Sequence, residues 1–373
     1  MKLAIFAPTL ELTNGWGNFT LYLCRELSKS GHDLTIFIPT GADASDLIDF
    51  ELKAKIKPIK TSPRLLVNTL KAIPIDKDTD VILSITSHPI CGHAYRTSIK
   101  NKIPLILGVH GTFGIKMFFT TLRRLTFQKI LRSAACVWTP SSFTKNILTN
   151  MDETHTQTSK LRNKTHVIHC GVDFQRFQKP NIKKNSRPSL ITIGHIKPRK
   201  GIHFVLEALG EIKKENIDFQ YTIVGPRLDK TYEKHLKTII KQHNIQSNVS
   251  FISPLKGDDL VETLGKHHIY VQPSSAFAWN FEGFGIVFLE ANAMGIPAIA
   301  PNFSGITSAV YNKENGLVVE DGNIGMLKDA IMSLLTDKTL YDAISQRSVE
   351  WAKTHDWSII AKQHITLYEE VIK

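Results

Sequence analysis

Two glutamates beside a glycine-rich turn are the residues best suited to chemistry in this sequence. Glu282 and Glu290 lie in the segment Phe281-Glu-Gly-Phe-Gly-Ile-Val-Phe-Leu-Glu290. If a helix begins near Gly285, its free N–H groups and the positive end of its dipole face the turn, which favours a phosphate or a sugar oxygen there. Glu290 then lies about one and a half turns into the helix, where its carboxylate can accept hydrogen bonds from a ribose diol. On spacing alone, the two carboxylates would more often be surface charges.

The elements that must position these glutamates alternate between short strands and helices. The apolar stretches that predict strands are residues 2–7, 34–38, 81–85, 105–109, 136–139, 190–193, 221–224, 249–252, 269–272 and 298–300. Helical patterns cover residues 19–29, after a glycine-containing loop at 14–18, and residues 202–209. This alternation predicts an α/β fold with mainly parallel sheets. A polar stretch at 177–188 indicates a linker, so we expect two Rossmann-like domains facing each other across a cleft.

The composition excludes several classes of protein. The 373 residues are 42% hydrophobic and 21% charged, which is typical of a globular protein with two or three domains and not of a disordered or fibrous chain. The four cysteines form no CxxC pair, which favours reduced, buried thiols. Neither a membrane-spanning stretch nor a signal peptide is evident. We therefore expect a cytoplasmic protein.

The positive charge of the chain is concentrated in its first half. The net charge is +12; residues 1–180 contain 24 Lys and Arg against 13 Asp and Glu, and the remainder contains 22 against 21. Residues 81–151 contain nine basic residues and no acidic one. This distribution favours an anionic partner, namely nucleic acid, an acidic glycan or an anionic bilayer. A solvated basic surface without a partner is the alternative.

Several segments together resemble one enzyme family. Glu282-Gly-Phe-Gly, Glu290-Ala and Met294-Gly-Ile-Pro resemble the E-x7-E signature of the retaining glycosyltransferases of family 4. The other segments that resemble this family are Gly15-Trp-Gly17, Pro140-Ser-Ser-Phe-Thr-Lys, Val167-Ile-His-Cys-Gly-Val-Asp-Phe-Gln-Arg-Phe177 and Gly194-His-Ile-Lys-Pro-Arg-Lys-Gly201. The resemblance covers nearly the whole chain. It implies the GT-B fold, with an acceptor-binding domain at 1–180, a donor-binding domain at 181–354 and a helix at 355–373 that crosses back to the first domain.

The same resemblance implies the substrates and the residues that bind them. The donor would be a UDP- or GDP-linked sugar, and the acceptor a glycan or a lipid-linked hydroxyl, with no metal and no cofactor. The implied donor-binding residues are Gly15, Gly17, Arg199, Lys200, Glu282, Gly283, Phe284, Gly285 and Glu290, and the implied catalytic residues are His110, Arg199, Lys200 and Glu282. Arg199 and Lys200 would stabilise the charge on the departing diphosphate. The family commonly has Arg after the first glycine of the 194–201 loop, where this chain has His195.

His110 follows the predicted strand at 105–109, so it should lie at the carboxyl end of the sheet, where ligands bind in such folds. By resemblance, it hydrogen-bonds the reacting sugar. A lone histidine after a strand is otherwise more often a satisfied core residue.

Two further motifs favour simpler interpretations. Asp76-Lys-Asp-Thr-Asp80 contains overlapping DxD patterns, but it precedes a strand, so we interpret it as a solvated turn. His166, His169 and Cys170 are close in sequence, but His166 and Cys170 flank a short apolar strand and no fourth zinc ligand is evident, so we expect no metal there.

A basic amphipathic helix is predicted over residues 116–132. Its apolar face would consist of Phe118, Leu122, Leu125 and Ile130, and its basic face of Arg123, Arg124, Lys129 and Arg132. Such a helix can lie on an anionic bilayer, which would place the protein at the inner face of the cell membrane. An ordinary domain helix with a solvated basic face is an equal alternative. The aromatic residues interleaved with the charges favour lipid over nucleic acid.

The sequence therefore predicts a retaining, metal-independent glycosyltransferase of cell-envelope, polysaccharide or lipopolysaccharide biosynthesis. One alternative is a non-catalytic membrane-surface or nucleic-acid binder on a degenerate transferase fold, which the intact Glu282, Glu290 and basic pair disfavour. An inverting or epimerising GT-B enzyme is a second alternative.

Overall fold

The structure is a computed structural model that describes residues 1–13, 15–50, 52–61, 71–87, 90–152, 158–178, 182–275 and 280–373. The chain forms two compact units. The first consists of Met1–Gly171 together with Trp357–Lys373, and the second of Val172–Asp356. The boundary predicted between residues 180 and 181 lies outside the described residues.

A parallel sheet forms the centre of the first unit. Its seven strands within the described residues are β1 (Lys2–Phe6), β2 (Asp33–Pro39), β3 (Lys55–Ile59), β4 (Val81–Ser84), β5 (Leu105–Gly108), β6 (Cys136–Thr139) and β7 (Thr165–Val167). They are arranged in the order β3-β2-β1-β4-β5-β6-β7, and Ile5 pairs with Ile36 on one side and with Leu83 on the other. The chain order reverses between β1 and β4, which is where doubly wound folds bind ligands.

The helices of the first unit are α1 (Gly15–Lys29), α2 (Cys91–Asn101), α3 (Gly111–Ile115), α4 (Thr121–Ser133), α5 (Ser142–Asp152), α6 (Thr158–Asn163) and the chain-terminal α14 (Trp357–Ile372). Helix α14 packs against α1 and buries Trp357, His364 and Tyr368. None of the helices in the described part of the chain combines the length and hydropathy needed to cross a bilayer.

A second parallel sheet lies at the centre of the second unit. Its described strands are β8 (Ser189–Ile193), β9 (Gln220–Val224), β10 (Val249–Ile252), β11 (Ile269–Val271), β12 (Ala298–Pro301) and β13 (Gly316–Val319), in the order β10-β9-β8-β11-β12-β13. Its helices are α7 (Phe174–Phe177), α8 (Ile202–Lys214), α9 (Lys230–Gln242), α10 (Gly257–Gly265), α11 (Ile286–Ala293), α12 (Ile324–Thr336) and α13 (Lys338–Thr354). The α/β class with two parallel-sheet, Rossmann-like units is therefore confirmed.

Some predicted elements differ from the structure. The loop predicted at 14–18 was wrong, because α1 already begins at Gly15. Strands β3 and β13 were missed. Strand β3 contains Pro58, which lacks an N–H group for the ladder, and it is tolerated because β3 is an edge strand.

The predicted basic helix at 116–132 is also incorrect in its form. A 3₁₀ turn at Lys116–Phe118 precedes the separate helix α4, and Leu125, predicted on the apolar face, is exposed. Phe118 and Ile130, which were predicted on the apolar face, are buried, and Phe127 of α4 is buried as well. The side chain of Leu122 lies outside the described residues.

Candidate active site

Three charged side chains meet at the carboxyl edge of the second sheet. Arg199 Nη1 lies 2.6 Å from Glu282 Oε1, and Lys200 Nζ lies 2.7 Å from the same oxygen. The exposed fraction of each side chain is no more than 15%. Two cations against one carboxylate leave a net positive charge in a partly dehydrated site. Such a site is suited to an anionic ligand, because charge interactions strengthen where water is excluded.

The turn that carries the two cations is set by a glycine. Arg199 and Lys200 lie in the 3₁₀ turn Pro198–Lys200, and Gly201 then caps α8 with a φ of 70°. A Cβ atom at position 201 would lie 2.0 Å from the backbone oxygen of Pro273. Only glycine therefore allows this turn to pack against the segment that follows β11. The helix predicted to start near Gly201 is confirmed.

The charge of Glu282 is fixed by its two partners. Burial would raise the pKa of its carboxyl group, but the positive charges of Lys200 and Arg199 outweigh that effect and lower the pKa to about 2. Glu282 is therefore ionised at every pH at which the protein would be assayed. The carboxylate holds both cations in place and neutralises only one of them.

Gln272 completes this cluster and was missed in the sequence. Its Oε1 accepts hydrogen bonds from Lys200 Nζ at 3.2 Å and from the Tyr270 hydroxyl at 2.8 Å, and its Nε2 donates to Ser274 Oγ at 3.0 Å. Its position in the sequence could have identified it as a site residue, because a polar residue directly after an apolar strand lies at the ligand-binding edge of the sheet.

Glu290 occupies a different electrostatic environment from Glu282. It lies in α11, which begins at Ile286 after Gly285, so the helix start predicted near Gly285 is confirmed. Burial raises the pKa of Glu290 to about 7, and the positive charge of Arg176 in α7 partly opposes that rise. The carboxyl group therefore titrates near neutral pH and can change its charge when a ligand binds. Arg176 was also missed as a site residue.

The glycine-rich turn between the two glutamates connects them to α11. Phe284 is buried, and Gly285 caps the helix with a φ of 97°. Gly283 lies between Glu282 and this buried phenylalanine. The structure thus places Glu282, the turn and the start of α11 in one continuous segment, whereas His195 is exposed.

The candidate residues of the first unit lie after β1 and β5. Gly15 and Gly17 form the first turn of α1, and a Cβ atom at position 17 would lie 2.1 Å from the backbone oxygen of Glu11. Gly17 is therefore required for the close backbone approach, whereas Gly15 has open space around it. The N-terminus of α1 carries the positive end of the helix dipole, which favours an anion there.

His110 is the residue before α3, at the carboxyl end of β5. Burial lowers the pKa of its imidazole to about 4, while a hydrogen bond to the backbone of Ile85 acts in the opposite direction. The side chain is therefore neutral at pH 7. Its Nε2 atom is buried and has no hydrogen-bond partner among the described residues.

The two motifs interpreted without a ligand occupy unremarkable positions. Asp78 and Asp80 contact Lys2 at the amino end of β1 and β4, each at 2.7 Å, so the predicted turn is confirmed. His166 lies within β7 and not beside it. In the part of the chain that the structure describes, no cluster of three or more His, Cys, Asp or Glu residues is arranged to hold a metal ion.

Comparisons with known proteins decide the family. The model described as glycosyl transferases group 1 matches residues 173–351, and the model described as glycosyltransferase family 4 matches residues 13–176. The chain belongs to the group 1 glycosyltransferases. The family expected from the sequence is thereby confirmed, and the protein is a glycosyltransferase.

Individual relatives of this glycosyltransferase are distant. An uncharacterized glycosyltransferase of Methanocaldococcus jannaschii is 26% identical over 73% of this chain and 71% of its own length. A GDP-mannose-dependent α-(1-6)-phosphatidylinositol monomannoside mannosyltransferase of Mycobacterium tuberculosis is 28% identical over half of each chain. The crystal structure of HepE from Anabaena in complex with UDP-glucose superimposes with a TM-score of 0.79 at 17% identity, covering 99% of this chain and 100% of that one. This likeness confirms the GT-B fold.

Proposed function

We propose that this glycosyltransferase moves a sugar, with retention of anomeric configuration, from a UDP- or GDP-linked donor to a glycan or lipid-linked hydroxyl. The buried cluster of Arg199, Lys200 and Glu282 ahead of α8 carries the proposal, because it concentrates positive charge where a diphosphate would leave. The UDP-glucose complex of HepE and the GDP-mannose dependence of the mycobacterial relative support a nucleotide-sugar donor. The name of that relative, a phosphatidylinositol monomannoside mannosyltransferase, supports a lipid-linked acceptor and a role in cell-envelope biosynthesis. A putative colanic acid biosynthesis glycosyltransferase of Escherichia coli, 28% identical over 43% of this chain, and the lipopolysaccharide galactosyltransferase WaaB, which shares the fold, support polysaccharide or lipopolysaccharide biosynthesis.

Each site residue has a role in the proposed reaction. The acceptor oxygen bonds to the anomeric carbon on the face that the diphosphate leaves, and the hydroxyl proton passes to the departing phosphate oxygen. Arg199 and Lys200 stabilise the charge that builds up on that oxygen, so no metal is needed. Glu290 accepts hydrogen bonds from the ribose diol, and Nε2 of His110 contacts the sugar. The positive end of the α1 dipole attracts the phosphates at Gly15, which has open space around it, while Gly17 packs against the backbone of Glu11.

A thermal-shift panel tests the donor class. UDP, GDP, ADP, UDP-glucose and GDP-mannose are each added to the full chain. A nucleotide present at 100 times its Kd stabilises the folded state by about 2.7 kcal/mol, which would raise the melting temperature by roughly 5–10 °C. We expect a uridine or guanosine diphosphate to give this shift. If no nucleotide shifts the melting temperature, the alternative of a non-catalytic binder on a degenerate transferase fold is favoured over a glycosyltransferase with a nucleotide-sugar donor.

We further propose that the protein works in the cytoplasm, at the inner face of the membrane. The surface that would contact lipid differs from the predicted helix face. Arg123, Lys129 and Arg132 are exposed, together with Leu125 on α4 and Phe119 just before it. Leu125, Lys129 and Arg132 lie three or four residues apart and so share one helix face. This mixture of exposed cations and apolar side chains suits anionic lipid, whereas Arg124 is only half-buried and Phe118 and Phe127 are buried.

Removing the three exposed cations should release the protein from anionic vesicles. Each contributes about 1 kcal/mol near a charged surface, so replacing Arg123, Lys129 and Arg132 with Gln should weaken binding to phosphatidylserine vesicles more than a hundredfold. Flotation at low salt measures this. The matched control replaces three exposed lysines of the second unit, Lys234, Lys241 and Lys353, and should bind as the wild type does. Wild-type protein that ignores the vesicles would contradict the membrane proposal.

A further inference from the structure

Two histidines of the first unit share the same aromatic neighbours. The ring of His110 lies edge-on to Trp138 at 4.6 Å and to Phe19 at 5.0 Å, measured between ring centroids. The ring of His364, from α14, lies edge-on to the same Trp138 at 4.9 Å and to Phe19 at 5.9 Å. We call Phe19 and Trp138 the aromatic box of His110, and His364 packs against both of its members. Trp357 supports the box by packing against Phe19 at 5.2 Å.

The hydrogen bonds of His110 define its tautomer. One ring nitrogen donates to the backbone carbonyl of Ile85, and Nε2 has no partner among the described residues. The donor is therefore Nδ1, and in the neutral ring Nε2 keeps a lone pair. A ring in this state can accept a hydrogen bond from a sugar hydroxyl but cannot donate one from Nε2. The direction of the hydrogen bond is thus set before the substrate arrives.

His364 is a costly residue to use for packing alone. It is fully buried, its Nε2 has no partner among the described residues, and its Nδ1 lies 3.2 Å from the Tyr368 hydroxyl. An unsatisfied buried polar atom destabilises the folded state, and a phenylalanine at this position would avoid that cost. His364 contacts the same tryptophan as His110, so its side chain can influence the ring of His110 in addition to filling the core.

We propose that His364 is a positioning residue: through it the chain-terminal helix α14 holds Trp138 and Phe19 against the ring of His110, so that the ring keeps its Nδ1 hydrogen bond to the Ile85 carbonyl and presents Nε2 to the substrate. The inference rests on the proposed function for its effect on catalysis, but not for the tautomer itself. Aromatic edge contacts of this kind have preferred geometries. The box therefore restricts both the tilt of the His110 ring and its movement toward the core. The last helix of the chain thereby acts on a residue at the carboxyl end of β5.

Three variants separate positioning from packing. His364→Ala opens a cavity next to Phe19 and Trp138, whereas His364→Phe keeps an aromatic ring there. Leu367→Ala opens a cavity at another buried position of α14. We expect His364→Ala to lower kcat about tenfold while the KM for the donor changes less than twofold. His364→Phe should restore most of kcat. Leu367→Ala should lower the melting temperature without lowering kcat.

The tautomer is measured independently of activity. In protein labelled with ¹⁵N-histidine, the signal of His110 is assigned by its loss in His110→Gln. At pH 7 the wild type should show protonated Nδ1 and unprotonated Nε2, and His364→Ala should show a mixture of the two tautomers. A wild-type ring protonated on Nε2, or a His364→Ala variant with an unchanged tautomer and kcat, would overturn the inference. If the protein turns over no donor, the proposed function is contradicted, and the tautomer measurement alone then decides the inference about His364.

Discussion

Replacing Lys200 with alanine is expected to lower kcat for glycosyl transfer about a hundredfold. Lys200 Nζ lies 2.7 Å from Glu282 Oε1, so its removal takes away one of the two positive charges that would face the leaving diphosphate. Removing a single group that stabilises transition-state charge typically costs two to three orders of magnitude in rate. Arg199→Ala should act in the same direction. Steady-state release of nucleoside diphosphate measures both variants.

The loss of Lys200 also leaves Glu282 with one partner, which would destabilise the fold. Breaking a buried ion pair costs about 3–5 kcal/mol, so the melting temperature of Lys200→Ala should fall. The double variant Lys200→Ala/Glu282→Gln should recover that stability without recovering kcat. Lys184→Ala is the matched control, since Lys184 is a half-buried lysine whose Nζ donates to the backbone oxygen of His267 at 2.6 Å. A Lys200→Ala enzyme with kcat within threefold of the wild type would place the diphosphate elsewhere.

Donor binding to the wild type should release a proton and strengthen as the pH rises from 6 to 8. With its pKa raised to about 7, Glu290 is mostly protonated at pH 6, whereas a ribose diol requires the ionised carboxylate as acceptor. The ionised fraction grows about tenfold between pH 6 and pH 8, so the affinity should grow by about the same factor. The donors to use are UDP-glucose and GDP-mannose, because a nucleotide sugar has no terminal phosphate that titrates in this range.

Glu290→Gln should remove this pH dependence and weaken donor binding at pH 8. A hydrogen bond to a charged group contributes about 1.5–3 kcal/mol, which corresponds to roughly a 10- to 100-fold loss of affinity. Calorimetric titrations in buffers of different ionisation enthalpy report the released proton. Glu233→Gln, which alters a carboxylate paired with Lys237 on α9, is the control and should leave both affinity and proton release unchanged. Equal affinities for Glu290→Gln and the wild type would remove Glu290 from the ribose role.

The sequence predicts much of this fold because its strands are continuous apolar runs. Residues 249–252 and 136–139 were predicted at the bounds that β10 and β6 have. Buried parallel strands such as β6 produce such runs, since both faces are covered, whereas β10 is an edge strand and is only partly buried. Strand β3 departs from this pattern, because two lysines and a proline interrupt the isoleucines of Lys55-Ile-Lys-Pro-Ile59.

The parts of the candidate site that lie within one short segment could be predicted from the sequence. Arg199, Lys200 and the start of α8 could be placed from the sequence, because a basic pair before a glycine and an apolar helix is a local pattern. That both cations pair with Glu282, some eighty residues later, depends on which strands are neighbours in the sheet. The pKa of Glu282 is lowered and that of Glu290 is raised, and this difference depends on burial and on charged partners that the spacing does not reveal.

The start of α1 shows how a local pattern can mislead. Gly15 and Gly17 lower helix propensity, and on that basis the segment was predicted as a loop. The structure uses Gly17 because the backbone of Glu11 passes against it, which is a tertiary requirement. The prediction of an apolar face at residues 116–132 was wrong at Leu125 for a related reason. Leu125 fits the helical period, but its side chain is exposed and does not face the core.

The stereochemistry of donor hydrolysis tests the central claim most directly. UDP-glucose and GDP-mannose, whose sugars are α-linked, are incubated with the wild-type protein at pH 8 with water as the acceptor. Proton NMR then follows the anomeric signals before mutarotation equilibrates them. Retaining transfer predicts that the α anomer of the released sugar appears first, at a rate that Lys200→Ala lowers about a hundredfold. Initial release of the β anomer would contradict the proposed mechanism and favour an inverting enzyme on the same fold.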